Sequence, residues 1–178
     1  TAQVKAIATD DLAKLTTDQI KALSSTQVAA LTTDQVAKLS TDQIQALSTS
    51  AIKGLTTAGI VALTTAQVEK LGTDQLAALS VSQIKAIATD DLQKLSTDQI
   101  GGLSSTQVAA LTTDQIVALT TDQISKLSTS QIAGLTTAQV AAIATDDIAK
   151  LSEDQIKAMT YAHMASLTST QIAKLTTD

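Results

Sequence analysis

The chain has no cysteine, proline, tryptophan or phenylalanine, and neither arginine nor asparagine occurs in its 178 residues. Without cysteine there is no disulfide framework, no thiolate metal site and no thiol nucleophile. Tyr161 and His163 are the only residues of their kinds, so a histidine-based catalytic arrangement has a single candidate base. Aromatic residues make up 1% of the chain and the formal net charge is -5, which argues against nucleic acid as a partner, since that partner calls for a basic surface and stacking platforms. No apolar run approaches the roughly 18 to 20 residues of a membrane span, and no signal peptide opens the sequence, so membrane insertion is not expected. What the chain does have is aliphatic material: 44% of its residues are hydrophobic, enough for a core at the length of one domain.

That material is periodic. Leu, Ile or Met stands at every eighth position from Ile7, Leu15 and Leu23 to Met159, Leu167 and Leu175, without exception. A second row, from Val4, Leu12 and Ile20 to Met164 and Ile172, is aliphatic throughout. No insertion interrupts either row, so residues 1–178 read as one continuous repeat module with no linker. The unit is L-[ST]-T-D-Q-[IV]-x-x, as in Leu31-Thr32-Thr33-Asp34-Gln35-Val36-Ala37-Lys38. A continuous helix cannot use it, because eight residues advance about 800° and shift the apolar stripe by about 80° per unit. A strand cannot either, since the two rows are separated by odd numbers of residues and would face opposite sides.

Something therefore resets the chain once per unit, and the residues name it. Ser or Thr followed three positions later by Gln is a capping box; the Leu before the cap and the Ile or Val four positions after it form the matching hydrophobic staple. Asp in the first turn meets the positive end of the helix dipole, and Ala and Lys suit the last turn. Helices this short are unstable alone, so successive units must stack. The expected fold is an all-α solenoid, a superhelix of about 22 short capped helices, one per octad. A β-solenoid fits less well, because Ala, Gln, Lys and Leu favour helix and the turn residue Asn is missing.

Longer periods lie on top of the octad. Ile7 to Leu12 recurs as Ile87 to Leu92, and Ser24 to Leu31 recurs as Ser104 to Leu111, which indicates a duplication of ten units. In the Asp register the uncharged substitutes are Ala2, Thr26, Ser50, Ala58, Ala66, Ser82, Thr106, Ser130, Ala138, Ala162 and Thr170. They cluster about every 27 residues, half a period out of phase with Lys14, Lys38, Lys70, Lys94, Lys126, Lys150 and Lys174. This modulation predicts roughly 3.3 octads per superhelical turn, one side rich in Asp and Lys and the other uncharged.

The uncharged side is the candidate functional surface: Thr26, Ser50, Ala58, Ala66, Ser82, Thr106, Ser130 and Ala138, joined by the irregular residues Tyr161 and His163. Ala51, Gly54, Gly59, Val81, Gly102, Gly134 and Met164 are assigned to the same side, where small residues would permit close lateral approach. Self-association or contact with neighbouring domains of a parent protein is the partnership such a surface fits. The pairs Asp10-Asp11, Asp90-Asp91 and Asp146-Asp147 raise a calcium site, but their spacing matches no EF-hand loop or glycine-rich nonapeptide, and they also fit the helix register. The Thr column raises ice binding, which curved helix corners do not suit. With His163 alone in its class, no metal site, cofactor site, small-molecule substrate site or catalytic group is expected.

The unit, in stretches such as LTTDQVAKLSTDQIQAL from Leu31 to Leu47, resembles octapeptide arrays of very large bacterial surface or secreted proteins, adhesin-like ones among them. The resemblance implies a region of a longer polypeptide, extracellular or on the cell surface, that serves as a stalk, spacer or adhesive module. Two functions follow as expectations: a non-catalytic structural spacer, and an adhesion or self-association module that binds through the uncharged stripe.

Overall fold

The computed structural model describes residues 2–175. Twenty-two α-helices of four to seven residues follow one another there, one per octad, from α1 (Ala2–Lys5) to α22 (Ser169–Leu175), with no strand among the described residues. The boundary between α5 (Thr33–Lys38) and α6 (Thr41–Ala46) shows how each octad is reset. Leu39 leaves α5 at φ -58°, ψ 140°, and Ser40 follows at φ -70°, ψ 161°. Two extended residues in succession break the helix and re-aim the chain, and Ser40 Oγ accepts the Gln43 N–H at 3.1 Å to start the next one. No described residue has a positive φ, so the left-handed glycine that ends many helices has no part here.

The backbone forms two compact units, Thr1–Lys94 and Leu95–Asp178. In the first, helices from α2 onward pack on the one three octads further on: α2 (Thr9–Leu12) on α5, α3 (Thr17–Lys21) on α6, and α4 (Ser25–Ala29) on α7 (Thr49–Ile52). The second repeats the rule, with α14 (Ser105–Ala109) on α17 (Thr129–Gly134), α15 (Thr113–Ala118) on α18 (Thr137–Ala142), and α18 on α21 (Tyr161–Ser166). This is a helical solenoid, as the octad pattern predicts.

Stacking buries both aliphatic rows. Ile20, Ile44, Ile52 and Ile84 in the first unit, and Ile100 and Ile148 in the second, are fully enclosed, and Leu39, Leu47, Leu103 and Leu111 nearly so. Each such side chain contributes about 2 kcal/mol by leaving water, which stabilises helices that could not persist singly. The rows open in two places. Ile7, Leu15 and Leu23 are half-buried, and Ile156 is half-buried while Met164 and Ile172 are exposed.

Candidate functional site

The side chain that does most in this fold is the glutamine three residues after each cap. In α3 the capping box is complete: Thr16 N–H donates to Gln19 Oε1 at 2.9 Å, and Gln19 N–H donates to Thr16 Oγ1 at 3.3 Å. Where the cap is Gly72, with no hydroxyl, the glutamine half survives alone, with Gly72 N–H donating to Gln75 Oε1 at 2.8 Å. Ala8, Ala88 and Ala144 cap their helices without a side-chain hydrogen bond.

Capping uses only one end of the amide. The other end, Nε2, reaches into the preceding turn of the coil. Gln43 Nε2 donates to the carbonyls of Leu12, Ala13 and Leu15 at 3.2, 3.2 and 2.7 Å, which close the C-terminus of α2. Gln67 reaches Val36 O at 3.0 Å and Leu39 O at 2.6 Å, and Gln75 reaches Ile44 O at 2.9 Å and Leu47 O at 2.7 Å. In the second unit Gln131 reaches Ile100 O and Leu103 O at 2.9 and 2.7 Å, and Gln139 reaches Val108 O and Leu111 O at 3.1 and 2.7 Å. A short helix leaves its last carbonyls without intrahelical donors. One buried glutamine therefore caps the start of its own helix and the end of the helix four octads earlier. Helices pack three octads apart and glutamines bond across four, so a turn of the coil lies between those values in each unit, in keeping with the 3.3 octads read from the modulation.

His163 stands in the glutamine register and reproduces the glutamine's geometry. Its Nδ1 accepts the Thr160 N–H at 3.2 Å and its Nε2 lies 2.7 Å from Leu135 O. A backbone N–H can only donate and a carbonyl only accept, so the ring is neutral with its proton on Nε2. His163 is 4% exposed. The sequence placed it on the candidate surface; the structure puts it inside, because imidazole is the other side chain that offers an acceptor at one end and a donor at the other.

The small residues are also reassigned. Ala51 and Gly59 occupy the glutamine register and are buried. A Cβ on Gly54 would run into the Ser25 carbonyl, 2.7 Å from its carbon, and one on Gly134 would meet Ser105 Cβ at 3.0 Å. Gly54 and Gly134 thus let α7 and α17 close on α4 and α14 within their own units, and they do not mark a lateral surface. The two contacts are one duplication apart and reproduce each other.

Thr26, Ser50, Ala58, Ala66, Ser82, Thr106, Ser130, Ala138 and Tyr161 are all exposed. Helix pairing brings the helices of Thr26 and Ser50 together, those of Ala58 and Ser82, those of Thr106 and Ser130, and those of Ala138 and Tyr161. Some of these residues also serve their own cap: the hydroxyls of Ser48 and Ser50 lie 3.0 Å apart, and those of Ser80 and Ser82 3.1 Å. Of the paired carboxylates, Asp11 forms an exposed ion pair with Lys14 at 3.0 Å, while Asp91 and Asp147 are buried in the glutamine register. Among the described residues no three of His, Asp and Glu converge where they could hold a metal ion, and no helix is long and apolar enough to cross a membrane. Thr17, Asp18, Lys21, Ser48 and Asp74 line an open surface groove.

Sequence reasoning missed the inter-turn role of glutamine, although its signal was present. A capping box accepts Glu as readily as Gln, yet Glu never occupies this register, where Gln stands at 16 of 22 positions. Of the two, the amide both accepts and donates, whereas a carboxylate only accepts.

In comparison with known families, the model described as the ALTTAQ repeat matches residues 4–41, 36–73, 60–87, 84–121, 117–145 and 140–177. Its six-letter name reads verbatim at Ala62-Leu63-Thr64-Thr65-Ala66-Gln67. No match is found among curated proteins.

Proposed function

The chain belongs to the ALTTAQ repeat family, and from that premise we propose that it is a non-catalytic spacer, a stalk-like repeat module within a larger bacterial surface or secreted protein. The observation that carries this reading is the glutamine ladder. The recurring glutamine of the repeat is buried with both ends engaged by backbone, as in Gln67, Gln75 and Gln131. The same holds for His163, the one candidate catalytic base, whose two ring nitrogens meet Thr160 and Leu135. The repeated chemistry is thus spent on holding turn to turn, and the exposed positions carry Thr, Ser, Ala, Asp and Lys in changing combinations. A module of this kind sets a separation and needs no ligand.

The second reading is adhesion or self-association through the uncharged stripe. It is favoured by the pairing of helices that bear Thr26 and Ser50, Ala58 and Ser82, and Thr106 and Ser130. One experiment separates the two. Immobilised protein is titrated with glycan panels and with bacterial and host cell surfaces, beside a variant carrying Asp at Thr26, Ala58, Thr106 and Ala138. The spacer reading expects no saturable binding by either protein. Saturable binding by the parent that the aspartates abolish contradicts it and establishes the stripe as the binding surface.

A further inference from the structure

Twice, once in each unit, a buried carboxylate takes the place of the ladder glutamine. In the first unit Gln83 Nε2 donates to Leu55 O at 2.6 Å. Asp91 of α12 (Thr89–Leu92) stands one octad further on, in register with Leu63 O, 28 residues back. In the second unit Gln139 and Gln155 donate to Leu111 O and Leu127 O at 2.7 Å each. Asp147 of α19 (Thr145–Ile148) falls between them, in register with Leu119 O. The two carboxylates are seven octads apart, so neither is the ten-unit copy of the other.

Neither carboxylate is engaged elsewhere. Asp91 and Asp147 are 9% and 8% exposed. Their octads form no capping box, and Lys94 and Lys150, placed as Lys14 is to Asp11, form no ion pair with them. Among the described residues neither carboxylate meets a donor, and neither do the Leu63 and Leu119 carbonyls. Aspartate is one methylene shorter than glutamine. The register therefore leaves a gap where the neighbouring rungs hold an NH2 group, with a carboxylate on one side and carbonyl oxygens on the other. Both kinds of oxygen only accept, so the rung closes only through something positive. No sealed side-chain oxygen of the described residues lacks a partner, so these unpartnered oxygens keep an edge on solvent and an ion has an entry path.

We propose that Asp91 and Asp147 each hold a hard monovalent cation, Asp91 against the carbonyls of Ile60 and Leu63 and Asp147 against those of Ile116 and Leu119. These carbonyls correspond to Ile44 and Leu47, which Gln75 reaches at 2.9 and 2.7 Å. The ion takes the place of the amide in the rung. Hard cations take oxygen ligands, carboxylate and backbone carbonyl alike. One carboxylate balances a single positive charge, whereas a divalent ion would leave charge uncompensated in a nearly closed site. The ion joins turn to turn within each unit, and the inference stands independently of any spacer role.

Sodium is the probe, with tetramethylammonium, too bulky for the gap, as the balancing cation at constant ionic strength. The parent protein is expected to melt higher in sodium chloride than in tetramethylammonium chloride, and to broaden the sodium-23 NMR line. Asp91→Gln with Asp147→Gln restores the repeat's own residue; this variant should melt alike in both salts and broaden the line less. Asp90→Gln with Asp146→Gln removes the same charge from the exposed neighbours and should match the parent in both readouts. Equal melting temperatures of the parent in the two salts overturn the proposal, a reading that stands even if a variant fails to fold. Line broadening that is the same in the parent and the first variant also overturns it, as does an equal loss in both variants, which would mark diffuse surface charge. Stabilisation by calcium chloride and not by sodium chloride overturns the monovalent assignment.

Discussion

Gln67 joins two turns of the coil: its Nε2 donates to the Leu39 carbonyl at 2.6 Å, 28 residues back along the chain, while its Oε1 accepts the Thr64 N–H at 2.7 Å. The same double contact recurs along both units, so the stability of the array should depend on the amide and not on side-chain volume.

Gln131→Glu tests that dependence. The cap acceptor is kept, but a carboxylate then faces the Ile100 and Leu103 carbonyls in a site 1% exposed. An uncompensated buried charge should cost on the order of 3 kcal/mol, and Gln131→Leu about 2 kcal/mol through the unsatisfied carbonyl and cap N–H. Urea unfolding of the two variants beside the parent measures both losses.

His163→Gln should leave stability unchanged or raise it, because glutamine meets Thr160 and Leu135 in the way the rest of the ladder does. His163→Ala loses both partners and should cost about 2 kcal/mol. Thermal melts that show equal losses for the two would contradict the mimicry.

How much of this was legible in the sequence depends on the range of each interaction. The caps, the helix count and both aliphatic rows follow from contacts within one octad, so Thr32, Gln35 and Val36 announce them. The ladder spans 28 to 31 residues, and the capping box already accounted for Gln35 without its second bond. Ala51, Gly54 and Gly59 looked like a relaxed or lateral surface because a glycine in sequence does not say which neighbour comes close. For Gly54 that neighbour is Ser25, a turn away. His163 looked irregular because its equivalence to glutamine exists only in hydrogen-bond geometry.

Gly54→Ala should destabilise by about 2 kcal/mol, since the added Cβ meets the Ser25 backbone and one turn must move. Gly134→Ala should cost less, because its nearest neighbour is the Ser105 Cβ at 3.0 Å. The order of the two melting temperatures is the test.

Ala88→Ser supplies the hydroxyl that this cap lacks. It should stabilise by about 1 kcal/mol, with Ser128→Ala losing a similar amount from a cap that now bonds Gln131 N–H at 3.2 Å. Chemical denaturation of the pair gives both signs.

Hydrogen exchange of the glutamine side-chain amides, resolved by NMR, reads the ladder most directly. The Nε2 protons of Gln35, Gln43, Gln67 and Gln75 lie in bonds to the turn before them and should exchange far more slowly than those of Gln19 and Gln27. Uniformly fast exchange at all six would contradict a solenoid held together by its glutamines.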